Sequence, residues 1–493
     1  MTTKFAFVSV SGKDGKVESQ NSGLVRSHCM RGKNTRDNSR RSLRAARRQK
    51  LGPTSDSGVA VTSAPHGDHV QHVHPEPRST PVMSLDWEII RFINKDTPGY
   101  PRELASIASL FIAVKDSSYP IYQCFHFSDK VMIPVIQFLT EDAVFQQAVR
   151  LMVLVYKDQM RQQPSSTNTL KHHQSLLLLL NDRLSNDVDT YATDSTFWTI
   201  NCLANISFRL GRHDEVIAHS SAIKTILQLR GRDDFLSRRP TLRYHMYCLD
   251  LATYSSSGRS PELNNHTSKH VWEQISDQGV LNPKPELACD TSIGGVNALI
   301  DPRVLSLLST LKRVTTQVNS YMPSSHYLDS SWLQTIYDSI FYDLLYLRDS
   351  LQDTASEALC FGIQAFLITT ALRPPGISKL ENESDISLYP DLTRKLRNSC
   401  GAFEAGTAEQ CRLLFWLLTM EAMLIFNPEK DDWLKLRWTE IAGNLLGESH
   451  CWEDAKAQLE RVLWIRQAHD DLGLEVYTKL RSSSPSCPGK YQA

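Results

Sequence analysis

The spacing of apolar residues indicates helices along most of the chain, over residues 85–480. In residues 192–210, apolar side chains recur at intervals of three and four positions, which places them on one face of a helix. The same spacing recurs in residues 327–351, 354–372 and 452–467. The sequence lacks the sustained alternation of apolar and polar residues that is typical of strands. It therefore predicts an all-α fold, a large helical domain of antiparallel packed helices.

Local signals predict where two of these helices meet. Gly211 follows the first helix as a C-terminal stop, and Asp214 is the expected N-cap of the next one. That second helix is expected to close at Arg230 and Gly231. Because the connection is short, the two helices are expected to pack antiparallel.

Two uninterrupted apolar runs predict burial. Residues 176–180 are all leucine, which suggests a helix that is buried all round. Residues 413–426 form the most apolar stretch, and they contain Glu421. This stretch is shorter than the roughly 20 residues that cross a bilayer, so it is expected to be a core helix.

Composition divides the chain into four parts. We expect a mostly disordered basic arm over residues 1–50, then a linker rich in proline, glycine and histidine over residues 51–84. The helical domain follows over residues 85–480, with a disordered tail over residues 481–493. Within the helical domain, residues 255–301 lack helical spacing, and a loop of that length is expected to be mobile or functional.

The basic arm differs sharply in charge from the remainder. Residues 26–50 hold ten basic residues against one acid, Asp37, a net charge of +9. The remaining residues include 44 basic and 53 acidic ones, so the overall neutrality hides a basic arm joined to an acidic body. The candidate contacts to nucleic acid or to an importin-type receptor are Arg26, Arg31, Lys33, Arg36, Arg40, Arg41, Arg44, Arg47, Arg48 and Lys50.

Four arginines of the arm, at positions 36, 40, 44 and 48, recur every four residues and would share one face of a helix. Their mutual repulsion predicts disorder in isolation, whereas a polyanion that neutralises them could order the arm. Three interpretations stay open: a nuclear import sequence, an arm that contacts phosphates, and an inert solvated tail. The first two can coexist.

Overall composition excludes several classes of protein. With 41% apolar and 22% charged residues, the chain is neither collagen-like nor wholly disordered. The ten cysteines lie at least eleven residues apart, so they form no CxxC pair and no dense disulfide scaffold. The first residues lack the apolar core of a signal peptide. We expect a soluble intracellular protein with no membrane segment.

Catalytic motifs are absent from the sequence. It contains no GxxxxGK[ST] phosphate loop, no GxGxxG, no GxSxG and no HExxH. Residues 181–189 match the magnesium-binding spacing of all-α terpene cyclases, but no second carboxylate cluster precedes them to hold the other metals. We therefore expect no catalytic residue, no cofactor and no enzymatic activity.

Histidines are also expected to be structural. His172, His173 and His219 flank helical core positions, where histidine is usually a hydrogen-bonded packing residue. The linker adds His66, His69, His72 and His74. No scaffold fixes the geometry of those four imidazoles, so no metal site is expected.

One segment resembles a known family. Residues 208–231 read FRLGRHDEVIAHSSAIKTILQLRG, and residues 232–258 read RDDFLSRRPTLRYHMYCLDLATYSSSG. They are similar to the fungal-specific transcription factor domain of the second type, in which a helix that begins with a histidine runs into an RG turn. The next helix of that family carries an aspartate and, two positions later, a small residue. The matching positions are His219, Arg230 with Gly231, Asp250 and Ala252.

Both ends of the chain extend the resemblance. Residues 451–453 and 463–465, with Leu459, look like the family's closing tryptophan helix. The segments FAFV at residues 5–8 and RSHCMR at residues 26–31 resemble fungal regulator-like proteins labelled "tachykinin family". Arg232 stands where the family often has a second glycine.

The resemblance implies a nuclear regulator of transcription. Members commonly carry a binuclear zinc cluster with six cysteines near the N-terminus, but this chain has one cysteine, Cys29, before residue 124, so that cluster cannot form. The arginine arm would remain as a contact to DNA phosphates, with few contacts to bases. Many such regulators lie beside metabolic gene clusters, so control of a biosynthetic pathway is an expected role. The alternative is an interaction protein that docks on another regulator or on itself without binding DNA.

Overall fold

A computed structural model describes residues 125–126, 137–161, 163–185, 192–231, 235–236, 238–259, 261, 300–321, 328–348, 350–371, 387–447 and 451–482. All of them belong to one compact unit. The predicted arm, the linker, residues 483–493 of the tail and most of the irregular region at 255–301 lie outside the described residues. Residues 481–482 and 255–257 are helical, so the predicted tail and the predicted irregular region each began too early.

The all-α prediction is confirmed, since 83% of the described residues are helical. The α-helices are α1 (Ala143–Met160), α2 (Thr167–Leu184), α3 (Asp194–Arg209), α4 (His213–Leu229), α5 (Pro240–Ser257), α6 (Pro302–Tyr321), α7 (Ser330–Arg348), α8 (Thr354–Ala371), α9 (Pro390–Ala402), α10 (Ala408–Met423), α11 (Asp432–Leu446), α12 (Trp452–Glu460) and α13 (Arg466–Ser482). A 3₁₀ turn, Pro428–Lys430, precedes α11. Two short strands, β1 (Phe125–His126) and β2 (Leu328–Asp329), pair in parallel.

The predicted junction of α3 and α4 is largely confirmed. Gly211 has a φ of 71°, the left-handed conformation that glycine adopts at a helix end. The prediction for Asp214 was wrong: Arg212 occupies the N-cap position and makes no side-chain capping bond. Asp214 and Glu215 lie instead in the first turn of α4, where negative charge favours the helix dipole.

Asp142 joins the first three helices. It caps α1 by accepting hydrogen bonds from the amides of Val144 and Phe145, each at 2.9 Å. Its carboxylate also pairs with Arg183 of α2 at 2.8 Å and accepts a hydrogen bond from the Ser195 hydroxyl of α3. Burial raises the pKa of Asp142, but these hydrogen bonds outweigh burial and hold the pKa below its ordinary value.

The expectation that α2 is buried all round was wrong. Leu176 and Leu180 are fully buried, whereas Leu178 is 60% and Leu179 is 41% exposed. The helix packs on its neighbours along one side, and a run of five leucines spans more than a full turn. The run must therefore place some leucines on the solvent side.

Helices α8 and α10 form the centre of the core. From Leu413 to Met423, every residue of α10 is buried, as predicted for the apolar run. A capping box starts this helix, in which Gln410 N donates to Thr407 Oγ1 at 3.2 Å and Thr407 N donates to Gln410 Oε1 at 2.9 Å. Among the described helices, α8 is the one long and apolar enough to cross a membrane, and 83% of it is buried inside the protein.

The predicted continuous helix over residues 452–467 was wrong, because the chain breaks between α12 and α13. Side chains from elsewhere bind the backbone of the break. Trp416 Nε1 donates to the Leu463 carbonyl at 2.8 Å, and Asn319 Nδ2 donates to the Trp464 carbonyl at 2.8 Å. The Ile465 amide donates to His469 Nδ1 at 3.0 Å. These bonds replace the helical ones, so the segment turns and buries Trp464 and Ile465.

Candidate functional site

The sequence-predicted contact residues, Arg26, Arg31, Lys33, Arg36, Arg40, Arg41, Arg44, Arg47, Arg48 and Lys50, all lie outside the described residues. The geometry below concerns the helical domain, where polar groups gather at three places: around α5, between α2 and α4, and among α9, α10 and α11.

Helix α5 is the most enclosed helix of the segment that resembles the fungal domain. His245 packs edge-on against Trp198 of α3, with ring centroids 4.9 Å apart, and Tyr247 packs against Phe341 of α7 at 5.7 Å. On another side, Gln364 of α8 donates to Ser255 Oγ at 2.7 Å. The helix thus joins the N-terminal and C-terminal halves of the domain.

Asp250 and Ala252, two positions of the resemblance, are buried in α5. The Tyr342 hydroxyl of α7 donates to Asp250 Oδ2 at 3.1 Å. A buried carboxylate needs hydrogen-bond donors, which explains why a tyrosine faces it. The arrangement supports a packing role for these two positions.

The RG turn also belongs to the segment that resembles the fungal domain. Next to this turn, two arginines pack against an aromatic ring. Gly231 has a φ of 69°, which favours glycine. The guanidinium carbons of Arg230 and Arg239 lie 5.2 and 4.1 Å from the ring centroid of Phe235. Asp194 of α3 pairs with both arginines, at 3.7 and 2.6 Å. The cluster fixes the end of α4 and the start of α5 to α3.

Histidines meet between α2 and α4. His219 lies inside α4 rather than at its start, and it is buried. Burial lowers the pKa of His219 to about 3, with a smaller contribution in the same direction from the neighbouring His173. Burial also lowers the pKa of His173, while the Glu215 carboxylate opposes this shift. Within the described part of the chain, no three His, Cys, Asp or Glu side chains are arranged to hold a metal ion.

Replacing His219 with glutamine should make the free energy of unfolding less sensitive to acid. The folded pKa lies below the unfolded value of 6.5, so this contribution to stability is complete above pH 6.5 and is lost as pH falls toward 3. Between pH 7 and pH 5, the contribution of His219 alone should fall by about 2 kcal/mol. Urea unfolding at both pH values should show that the change from pH 7 to pH 5 is more favourable to stability in His219→Gln than in the wild type by that amount.

The adjacent substitution Ser220→Ala is the control, because Ser220 is also buried but carries no titrating group. It should keep the wild-type difference between pH 7 and pH 5. An equal difference in His219→Gln and in the wild type would show that His219 does not titrate as described.

An ionic cluster among α9, α10 and α11 was not predicted as a site. Arg397 Nε donates to Glu421 Oε1 at 2.8 Å, and the same guanidinium binds the Asp431 carboxylate. Glu421 is fully buried in α10. Burial raises the pKa of Glu421 to about 7 even though the attraction of Arg397 acts in the opposite direction.

One signal in the sequence could have indicated this cluster, namely a single glutamate inside the most apolar stretch of the chain. A buried carboxylate requires a partner cation, and several arginines were available. Sequence spacing does not select Arg397, which lies 24 residues away on another helix. The raised pKa brings the titration of this buried carboxyl close to neutral pH.

Searches for similar proteins add no family to these observations. No family model, no curated protein and no solved structure matches the chain.

Proposed function

We propose that the protein is a nuclear regulator of transcription, acting on a biosynthetic gene cluster, that uses its arginine-rich arm for import and for contact with DNA phosphates. The helical domain would carry regulation. The observation that carries this proposal is the concentration of a net charge of +9 within residues 26–50 of an otherwise acidic chain. A stretch with that charge density attracts a polyanion and an importin-type receptor through the same side chains.

Arginine suits both roles for one physical reason. Its guanidinium stays charged at any cellular pH and presents donors in a planar fork that matches the oxygens of phosphates and carboxylates. Such contacts give affinity without base specificity. The arm would therefore hold the protein near DNA, and the choice of target would depend on the helical domain and its partners.

Neutralising the arm should remove the salt dependence of DNA binding. If the arm contacts about six to eight phosphates, the logarithm of the binding constant should fall against the logarithm of salt concentration with a slope of about −5 to −7. Changing Arg40, Arg41, Arg44, Arg47 and Arg48 to alanine should flatten this slope by about 4 to 5, because each lost phosphate contact contributes about 0.9. Fluorescence anisotropy with labelled duplex DNA at several salt concentrations measures the slope.

The same five positions changed to lysine provide the matched control. Lysine keeps the charge, so this variant should keep most of the salt slope. For import, the alanine variant fused to a fluorescent protein should move from the nucleus to the cytosol. An unchanged slope would exclude the arm as the DNA contact, and a retained nuclear signal would exclude it as the import sequence.

A second candidate function is a co-regulator that reaches DNA only through another transcription factor. The presence of one cysteine before residue 124 favours it, because a zinc-cluster module for reading bases cannot form there. In this case chromatin immunoprecipitation should recover target DNA with the alanine arm variant when that variant is directed to the nucleus by an added import sequence. Loss of chromatin recovery in that variant would favour direct binding by the arm.

A further inference from the structure

Glu421 occupies an unusual position for a carboxylate. It lies in the apolar part of α10 with none of its surface exposed. Its Oε1 atom accepts the hydrogen bond from Arg397 Nε, whereas its Oε2 atom is buried without a hydrogen-bond partner. An ionised carboxylate in this place therefore keeps one oxygen unsatisfied, which disfavours the charged form.

Arg397 connects this interior carboxylate to the surface. Its side chain is 28% exposed and extends from α9 to both Glu421 and Asp431. Asp431 is the N-cap of α11, where its Oδ1 atom accepts a hydrogen bond from the Leu434 amide at 3.1 Å. One guanidinium thus joins α9, the middle of α10 and the start of α11.

Other ionisable groups near Glu421 come from the same helices. Cys400 of α9 is buried, and burial raises the pKa of its thiol, so it stays neutral. Arg437 of α11 pairs with Glu440 at the surface, at 2.8 Å.

The helices on the other sides of α10 contribute further ionisable groups. The only charged residue of α8 is Glu357, in its first turn. His469 of α13 forms a hydrogen bond with the Thr369 hydroxyl of α8. Lys456 of α12 forms an ion pair with Asp470 of α13 at 2.6 Å. On α10 itself, Arg412 donates to Gln458 of α12 at 2.9 Å.

We propose that Glu421 and Arg397 form a proton-sensitive latch that holds α9, α10 and the start of α11 together. With Glu421 neutral, α10 presents no net charge to the core and its packing is at its most stable. When the proton leaves to solvent, a charge with one unsatisfied oxygen appears in the core, and the packing of α10 on α9 and α11 weakens. The latch is independent of the proposed function.

The unfolded and folded pKa values of Glu421 set the pH range in which the latch responds. The pKa of Glu421 is raised from 4.5 to about 7 by burial. Because the folded value exceeds the unfolded one, the contribution of the neutral form is complete below pH 4.5 and is lost as pH rises toward 7. Between pH 5 and pH 8, the unfolding equilibrium constant should rise by about 50- to 100-fold from this group alone.

Denaturant unfolding of the full chain at pH 5 and pH 8 tests the latch. Glu421→Gln keeps the size of the side chain but cannot ionise. The ratio of its unfolding constants at pH 8 and pH 5 should therefore be smaller than the wild-type ratio by that 50- to 100-fold factor. Glu440→Gln is the matched control, since it removes a carboxylate from the exposed ion pair on α11. This variant should show the same ratio of unfolding constants at pH 8 and pH 5 as the wild type.

A second readout uses the wild-type chain, so that a folding defect in the glutamine variant leaves the proposal testable. The Trp433 ring lies 5.3 Å from the guanidinium carbon of Arg397. The difference in fluorescence between the wild type and Trp433→Phe should change with a midpoint near pH 7, and hydrogen exchange in the first turn of α11 should quicken over the same range after correction for intrinsic rates. A flat difference from pH 5.5 to 8.5, or equal pH dependence of Glu421→Gln and the wild type, would overturn the latch.

Discussion

Replacing Trp416 with alanine should destabilise the protein by about 3 to 5 kcal/mol, the usual cost of truncating a buried tryptophan. Trp416 is fully buried in α10, and its indole Nε1 donates to the Leu463 carbonyl at 2.8 Å. The alanine variant therefore loses core volume and also leaves a carbonyl of the α12–α13 break without its donor. Urea unfolding monitored by circular dichroism measures the change.

Two further substitutions separate these causes. Trp416→Phe retains most of the ring volume but has no N–H group, so it should cost about 1 to 3 kcal/mol for the unsatisfied carbonyl. Leu436→Ala on α11 is the control, because Leu436 is 74% exposed and its truncation should change stability by less than about 0.5 kcal/mol. A cost below 1 kcal/mol for Trp416→Ala would contradict the arrangement of the core.

Gly473→Ala and Gly443→Ala should have effects of opposite sign, although both glycines are helical. A Cβ atom at Gly473 of α13 would lie 2.6 Å from Trp464 Cη2 and 2.7 Å from Trp452 Cη2. The two rings would have to move, at a cost of about 1 to 3 kcal/mol. At Gly443 of α11 nothing lies within 4 Å, so alanine should stabilise the helix by about 0.5 to 1 kcal/mol.

The two glycine variants serve as controls for each other, because intrinsic helix propensity favours alanine equally in both. Their melting temperatures, measured side by side, should lie on either side of the wild-type value. Stabilisation by Gly473→Ala would mean that Trp452 and Trp464 do not enclose this position.

The helical class and the limits of several helices could be predicted because they depend on local information. Gly211 marks the end of α3, since the left-handed backbone that closes a helix favours glycine. Thr354 was the predicted first residue of α8 and is its observed one. Periodic apolar positions in α3 are buried, as the pattern requires.

The wrong predictions concern features that distant residues decide. The break before α13 depends on Asn319 and Trp416, whose contact with residues 463–464 no local pattern encodes. The exposure of Leu178 depends on which side of α2 the neighbouring helices cover. The cap of α4 falls on Arg212 because the tight turn after Gly211 places the helix start before Asp214.

The same contrast between local sequence and distant contacts applies to the candidate sites. The charge of residues 26–50 is a property of composition and could be predicted directly, and its role stays a prediction because these residues lie outside the described ones. Glu421 interrupts an apolar run in the sequence, but the sequence does not indicate which residue pairs with it. The ion pair needs α9 and α10 side by side, which only the tertiary structure establishes.

The break between α12 and α13 has a consequence for synthesis on the ribosome. Asn319, which binds the Trp464 carbonyl, is translated 145 residues before its partner. Trp416 is likewise translated before Leu463, whose carbonyl accepts its hydrogen bond. A nascent chain in which residues 461–482 have not yet left the ribosome exposes these core surfaces, and premature stop codons upstream of residue 461 should yield products that lack these contacts and are prone to aggregation or degradation.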